Sequence, residues 1–432
     1  MIQRERLVKD FEAMAQLTAP GEGINRLAFT DADWAGRQYI IDRMTDAGLT
    51  VETDDFGNVI GYKIGKNPDL PAVMVGSHTD SVPNGGNYDG VVGVLSAIEV
   101  IRSMTDDGYE HDHTIAVVSF MCEESGRFGN ATLGSKAMRG ELTLQDLHRL
   151  VDKQGISLYE ALKDRNLNPD GIETMAYKRP VKSFTEIHIE QGKVLEHEQK
   201  TIGIVTGIAA PERFYVTIRG NADHSGATPM NLRHDALCGA SKIILGIEEI
   251  ASMQEEPPVV GTVGVVEVTP GAMNVIPGAV KLGVDIRSIS KVARNSVVTL
   301  VKEFIDITAE KRGLSYTIET IAQDHPVEMH PAMIREIEEA VKSVGVEYMT
   351  MPSGAGHDAM HWAEAVPTGM IFIPCRDGIS HNPAEFAEMD DIVTGAEVLD
   401  KVLRKLSLKE TKLVYPYSPQ SALHLLRQIL SC

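Results

Sequence analysis

Histidines and carboxylates recur in this sequence where glycine-rich loops follow apolar runs. His78 and Asp80 form an H-x-D at the end of the run 72–76, and Asp89 stands in a YDG turn eleven residues after His78. Glu123 and Glu124 directly follow the apolar run 114–121, His188 lies in EIHIEQG, and His381 lies in SHNPAE. Neutral imidazoles and carboxylates suit divalent first-row ions such as Zn²⁺, Mn²⁺ or Co²⁺. Two such ions, roughly 3.5–4 Å apart, can share one carboxylate and one water. The chemistry then needs a carboxylate near that water that is not a ligand. An adjacent glutamate pair supplies both, one binding an ion while its neighbour takes the water's proton. His78 also wants a carboxylate on its other ring nitrogen, and Asp80 is placed for it. A lone histidine or Glu-Glu pair is more often structural or solvated, and Glu248–Glu249 and Glu338–Glu339 read as exposed helix faces. The functional reading rests on five ligand-type residues arriving together in loops after apolar runs.

The elements that must carry these residues alternate in type. Residues 2–18 and 31–48 have the periodicity of amphipathic helices, the second opening after Thr30 and closing at Gly48. Short β-like runs follow at 49–53, 59–64 and 72–76, then a helix at 91–105. The run 114–121, TIAVVSFM, is continuously apolar, as suits a strand buried on both faces, and 183–190 is a further strand. Alternating helices and buried strands predict an α/β domain whose site gathers at the carboxyl ends of its strands.

Between about 207 and 325 the pattern changes. PERFYVTIRG, GTVGVVEVTP and AVKLGVDIRS alternate apolar and polar residues, the period of half-exposed antiparallel strands, with helices at 232–254 and 293–312. This predicts a small α+β sandwich inserted into the first domain. The α/β pattern resumes after 326, with a strand at 368–374. The expected layout is a catalytic α/β domain with a central mixed sheet from 1–206 and 326–408, the inserted sandwich from 207–325, and a C-terminal extension from 409–432. That extension follows a charged KETK break, and no function is assigned to it.

Composition narrows the function classes. A net charge of −20 argues against non-specific nucleic-acid or anionic-membrane binding, which needs a basic patch. No run of 18 apolar residues exists, so no membrane span is expected. The N-terminus is charged throughout and lacks the apolar segment of a signal peptide. Cys122, Cys238, Cys375 and Cys432 are far apart, which excludes a disulfide framework or cysteine zinc site and predicts a reducing, cytoplasmic setting.

GSHTDSVPNGGNYDGVVGVL, EESGRFGNATLGS, EIHIEQGKVLE, HSGATPM, NVIPG, SGAGHDA and GISHNPAE together resemble the amidase/hydantoinase–carbamoylase family. That family contains N-carbamoyl-L-amino acid hydrolases, allantoate amidohydrolases and β-ureidopropionases. It belongs to the wider clan of aminoacylase- and carboxypeptidase-like two-metal hydrolases. The resemblance runs from about residue 1 to 405 with the blocks in order.

By motif it implies that His78, Asp89 and His188 hold one metal and that Asp89, Glu124 and His381 hold the other, Asp89 bridging. Glu123 would be the general base and then the acid that protonates the leaving nitrogen. Gln191 would contact the carbamoyl or ureido group. His224 would stabilise the oxyanion and can reach a partner's site. Asn274 and Arg287 would bind the substrate carboxylate, Arg287 by a bidentate fork, and His357 would line the pocket. The family expectation is two divalent ions per subunit, Zn²⁺ first and Mn²⁺, Co²⁺ or Ni²⁺ as alternatives. The partners expected are a small ureido carboxylate as substrate and a second copy of the chain, paired through the 207–325 segment as lid and dimerisation domain. Thr79 and Val92 depart from the residues many relatives carry, but neither is a ligand. Cys122 reads as a small buried residue. Arg376 is a further cationic candidate near His381, without an assigned role.

Overall fold

The computed structural model describes residues 1–411 and 413. The proposed C-terminal extension therefore lies, beyond its first residues, outside the described part. In chain order the strands are β1 (Thr50–Thr53), β2 (Val59–Lys63), β3 (Ala72–His78), β4 (Ile115–Phe120), β5 (Val181–Ile189), β6 (Ile202–Ile208), β7 (Ala210–Arg219), β8 (Val259–Thr269), β9 (Ala279–Ser288), β10 (Ser315–Gln323), β11 (Val327–Glu328), β12 (Tyr348–Ser353) and β13 (Thr368–Ile373). They fall into two compact units. The first comprises Met1–Thr206, Met329–Met351 and the chain from His357 onward; the second comprises Gly207–Glu328 and Pro352–Gly356.

The first unit is built on a mixed sheet in the order β1-β2-β4-β3-β5-β13-β6, with β12 also beside β6. The central strands β4, β3, β5 and β13 run parallel, whereas β1, β2 and β6 join antiparallel. The apolar runs explain this. Val73, Val75, Ile115, Val117, Ile187 and Ile371 enter one core with the helices Arg4–Gln16, Val91–Asp106, Pro331–Val344 and Met389–Leu406. Their neighbours Met74, Ala116, Val118, Phe184 and Phe372 are equally buried, so the sheet is covered on both faces. The helix Val91–Asp106 lies close on the sheet. A Cβ at Gly93 would stand 2.5 Å from the Ser77 Cβ and 2.6 Å from the Ile187 carbonyl oxygen.

The second unit is a four-stranded antiparallel sheet, β10-β7-β9-β8, with the helices Ala236–Ser252 and Lys291–Arg312 packed on it. Phe214, Val216 and Ile218 of β7 and Val280, Leu282, Val284 and Ile286 of β9 pack against Ile243, Ile247, Val301 and Ile305 of the helices. The intervening residues of the two strands leave the other sheet face open, as the alternating sequence requires. The first helix begins at Ala236 and not near 232, because the Asp235 carboxylate accepts from the Leu237 and Cys238 amides and caps it there. The unit runs to Glu328 because β11 pairs with the end of β6, Val327 opposite Ile208. It also takes in Pro352–Gly356, where the Ala209 amide donates to the Ser353 carbonyl at 2.8 Å. No described helix is long and apolar enough to cross a membrane.

The packing at Gly93 gives a direct test of the scaffold. Gly93→Ala forces the helix off β3 and β5, and we expect it to destabilise the protein by roughly 1–3 kcal/mol, the usual range for overpacking. The thermal unfolding midpoint measures this; an unchanged midpoint would show that the close approach is not a constraint.

Candidate metal centre

The four parallel strands of the first unit deliver the sequence-derived ligands at their carboxyl ends, where an open α/β sheet places its site. His78 closes β3, Glu123 and Glu124 follow β4, His188 sits near the end of β5, and His381 lies in the loop after β13. Asp89 comes from the turn before the helix Val91–Asp106. That turn requires Gly90, whose φ is +66° and where a Cβ would stand 2.4 Å from the His78 ring.

Asp89 is the centre of the arrangement. Its Oδ1 lies 3.0 Å from His188 Nε2 and 3.4 Å from His78 Nε2. Its Oδ2 lies 3.2 Å from His381 Nε2, which is itself 3.2 Å from Glu124 Oε1. The donor atoms of His78, Asp89 and His188 lie within 4.8 Å of one another, as do those of Asp89, Glu124 and His381. Glu123 belongs to neither group. Its Oε2 is 3.7 Å from His78 Nε2, which leaves it beside the cluster with a free carboxylate.

Backbone carbonyls fix the histidine rings. His78 Nδ1 bonds the Asp80 carbonyl at 3.1 Å, and His188 Nδ1 bonds the Ile189 carbonyl at 2.8 Å. The Asp80 carboxylate faces the same His78 Nδ1 at 3.6 Å and also accepts the amides of Glu123 at 3.1 Å and Glu124 at 3.0 Å. Asp80 thus orients the glutamate pair, and burial pushes its carboxyl up to about 6. His357 is buried with its ring 4.5 Å from that of His188, and burial holds it well below the usual imidazole range. Gln191 reaches the bridging carboxylate, its Nε2 donating to Asp89 Oδ2 at 2.6 Å and to Ser380 Oγ at 3.1 Å, while its buried Oε1 has no hydrogen-bond partner.

The electrostatics fit a pair of divalent ions. Asp80, Asp89, Glu123, Glu124, Glu186 and Asp358 are all buried around three imidazoles, and charging these carboxyl groups together costs free energy unless cations offset it. Burial, reinforced by Glu124, Asp358 and Asp80, raises Glu123 well above the carboxylate range against the opposing pull of His78. Burial also works against the charged form of Asp89, but His188, His381 and His78 outweigh it and hold Asp89 well below its usual range. Among the histidines, hydrogen bonds to Asp89 and Glu124 push His381 up to about 11. Burial works to lower His78 and His188, and the neighbouring carboxylates reverse it in both.

His224, Asn274 and Arg287 belong to the second unit. His224 is exposed, and its Nδ1 accepts the Gly226 amide at 3.1 Å and the Ala227 amide at 3.2 Å, which leaves Nε2 as the ring's donor. The Asn274 carbonyl accepts the Ser225 amide at 3.0 Å, which ties the two loops together. Arg287 is not a free fork. Its Nε and Nη2 grip Asp285 at 2.8 and 3.0 Å, and its Nη1 donates to the Gly354 carbonyl at 3.0 Å. Asp285 also takes Arg213 Nε at 2.7 Å, and the two arginines hold it below the usual carboxylate range against the effect of burial. Arg213, Asp285 and Arg287 line a cavity of about 550 Å³ with Tyr215 and Thr262, a lining that includes neither His224 nor Asn274. Sequence reading missed Arg213 and Asp285, although strand alternation puts both on one face with Arg287. Arg376 pairs with Glu388 at 2.8 Å and stacks on Phe386, which accounts for its charge without the site.

Residues 74–405 match the model of the peptidase family M20/M25/M40. An N-carbamoyl-L-amino-acid amidohydrolase from Pseudomonas sp. (strain NS671) is 41% identical over 402 residues, covering 92% of this chain and 97% of the relative. The chain belongs to the M20/M25/M40 family. A ureidoglycolate hydrolase from Arabidopsis thaliana is 38% identical over 397 residues, covering 90% of this chain and 83% of that protein. A solved amidase of the hydantoinase/carbamoylase family from Burkholderia multivorans superposes with a TM-score of 0.89 at 37% identity, covering 95% and 99% of the two chains. The M20 chain described here is a hydrolase acting on C–N bonds, in a metal-dependent hydrolase family, and its relatives include the hydantoinase/carbamoylase amidases.

The raised histidines have a consequence for ion binding. His381, pushed up to about 11, holds a proton at neutral pH that an incoming ion must displace, so affinity rises with pH and binding releases a proton. Calorimetric titration with Zn²⁺ in buffers of different ionisation enthalpy is expected to give a buffer-dependent heat. A heat independent of the buffer would contradict the protonation described.

Proposed function

We propose that the chain hydrolyses the carbamoyl C–N bond of N-carbamoyl-L-amino acids, releasing the amino acid, CO₂ and ammonia. The observation that carries the reading is the division of one carboxylate, Asp89, between two histidine-bearing groups, with Glu123 free beside them. His78, Asp89 and His188 are assigned to one ion and Asp89, Glu124 and His381 to the other. Bound ions supply Lewis acidity towards the scissile carbonyl and make water more acidic. The donor set suits Zn²⁺ first and Mn²⁺, Co²⁺ or Ni²⁺ as alternatives.

Glu123 takes the proton of the attacking water and delivers it to the leaving nitrogen, a task that its place beside His78 and outside both ligand groups supports. His224 donates from Nε2 to the developing oxyanion. Gln191 supports a ureido substrate, because its buried Oε1 lacks a partner and an amide N–H of that group would satisfy it. Asn274 and Arg287 bind the substrate carboxylate. With Nε and one Nη2 proton committed to Asp285, Arg287 offers one further N–H on each of Nη1 and Nη2, a two-point grip from the guanidinium's outer end. His357 lines the pocket as a neutral ring.

A second reading is an allantoate- or ureidoglycolate-type substrate, favoured by the likeness to the plant ureidoglycolate hydrolase. These compounds share the ureido group and carboxylate on which the assignment rests.

The protein is further assigned to the cytoplasm on its free thiols Cys122, Cys238 and Cys375. We assign it as a homodimer through β8. This strand is the sheet edge, and its exposed Val260, Val265 and Val266 include no lysine or proline to prevent pairing. Light scattering is expected to give twice the chain mass, and a monomer would remove this assignment.

The activity test is ammonia release from a panel of N-carbamoyl amino acids, allantoate, ureidoglycolate and N-acetyl amino acids. Turnover of a ureido compound is expected; turnover of the acetyl compounds alone would replace the reading with an aminoacylase. Glu123→Gln is expected to lower kcat by about 10²–10⁴-fold, the usual worth of a general acid–base, with ion content unchanged. Undiminished turnover in that variant would place the base elsewhere.

A further inference from the structure

The two ends of the Asp89 carboxylate are supported differently. Oδ1 faces His78 and His188, which are 2% and 1% exposed, with their rings fixed by the carbonyls of Asp80 and Ile189. Oδ2 faces His381, whose side chain is 50% exposed and whose backbone sits at φ +55°. The support on this side comes from Ser380 and Glu385 in the loop that also carries His381. Ser380 Oγ lies 3.0 Å from Asp89 Oδ2 and 2.9 Å from Glu385 Oε2. Glu385, itself 5% exposed, accepts the Tyr88 amide at 2.9 Å and the Asp89 amide at 3.0 Å on its other oxygen. One glutamate thus holds the backbone of the bridging residue, and one hydroxyl stands between that glutamate and the carboxylate oxygen turned towards His381 and Glu124.

We propose that Ser380 and Glu385 are positioning residues that hold Asp89 Oδ2 towards the Glu124–His381 side, so that the ion assigned there depends on them while the His78–His188 ion does not. This rests on the two-ion assignment made above. The asymmetry follows from the partners. Without the Ser380 hydroxyl, Oδ2 keeps Gln191 and the half-exposed His381, and one of the two buried carboxylate oxygens that share the single hydroxyl proton, Asp89 Oδ2 or Glu385 Oε2, is left without it. Outer partners of metal ligands are worth about 10–100-fold in metal affinity, and here that loss falls on one ion of the pair.

The test is titration of the full-length apo-protein with Zn²⁺ against a chromophoric chelator, and with Co²⁺ followed by its visible spectrum. The wild type comes first. Fewer than two ions per chain would end the two-ion assignment itself, separately from the role of Ser380. In Ser380→Ala we expect the weaker of the two dissociation constants to rise about 10–100-fold with the tighter one unchanged. The spectrum of the second Co²⁺ equivalent should change while that of the first does not. Glu385→Gln, which keeps the side chain's size, is expected to do the same, and Ser380→Thr, which keeps the hydroxyl, to restore the wild-type constants. The proposal is overturned if both ions weaken equally, if Ser380→Thr behaves as Ser380→Ala, or if Ser380→Ala and Glu385→Gln bind both ions as the wild type does.

Discussion

A buried carboxylate shared among three imidazoles sets the terms for the rest of this molecule. Asp89 stays charged in a site where burial disfavours charge, because His78, His188 and His381 converge on its two oxygens. The convergence is possible only because four parallel strands end side by side. β4, β3 and β5 deliver Glu123 and Glu124, His78 and His188 at or just after their carboxyl ends, and the loop after β13 brings His381 back to within 3.2 Å of Glu124. The surrounding carboxylates add unfavourable repulsion, and a protein tolerates that where cations will offset it.

The loops that carry the ligands hold unusual backbone conformations. Cys122, Gln191 and His381 have φ of +58°, +58° and +55°. Each either bears a site side chain or immediately precedes one. For residues with a Cβ, such conformations cost of order 1–3 kcal/mol apiece, and here local hydrogen bonds offset the cost. The Cys122 carbonyl accepts the Leu133 amide at 3.0 Å and the Glu123 carbonyl accepts the Thr132 amide at 2.7 Å, docking the helix Leu133–Arg139 onto the glutamate pair. The buried core beneath the sheet gives these strained turns a rigid base.

Much of this was legible in the sequence for physical reasons. TIAVVSFM, short, β-branched and continuously apolar, suits a strand covered on both faces, and the alternation in AVKLGVDIRS suits a sheet with one face open. The ligand residues stood out because they follow such runs. What escaped were contacts between residues far apart in the chain. Nothing local to Asp80 says that its carboxylate will cap the amides of Glu123 and Glu124 from 43 and 44 residues away. Nothing local to Glu385 says that it will hold Asp89 from 296 residues away, although Glu385 lies in the same SHNPAE block as His381. The short helices Leu144–Arg149 and Leu158–Asp164 were missed for a different reason. Each is too brief to show a period, yet both carry capping boxes, Thr143 with Asp146 and Ser157 with Glu160, that announce a helix start.

Anomalous diffraction from crystals grown with Zn²⁺ and recorded at its absorption edge examines the central claim most directly. The account predicts two peaks about 3.5–4 Å apart, both within bonding distance of Asp89, one shared with His78 and His188 and the other with Glu124 and His381. A single peak, or a pair of which either lies out of reach of Asp89, would contradict it.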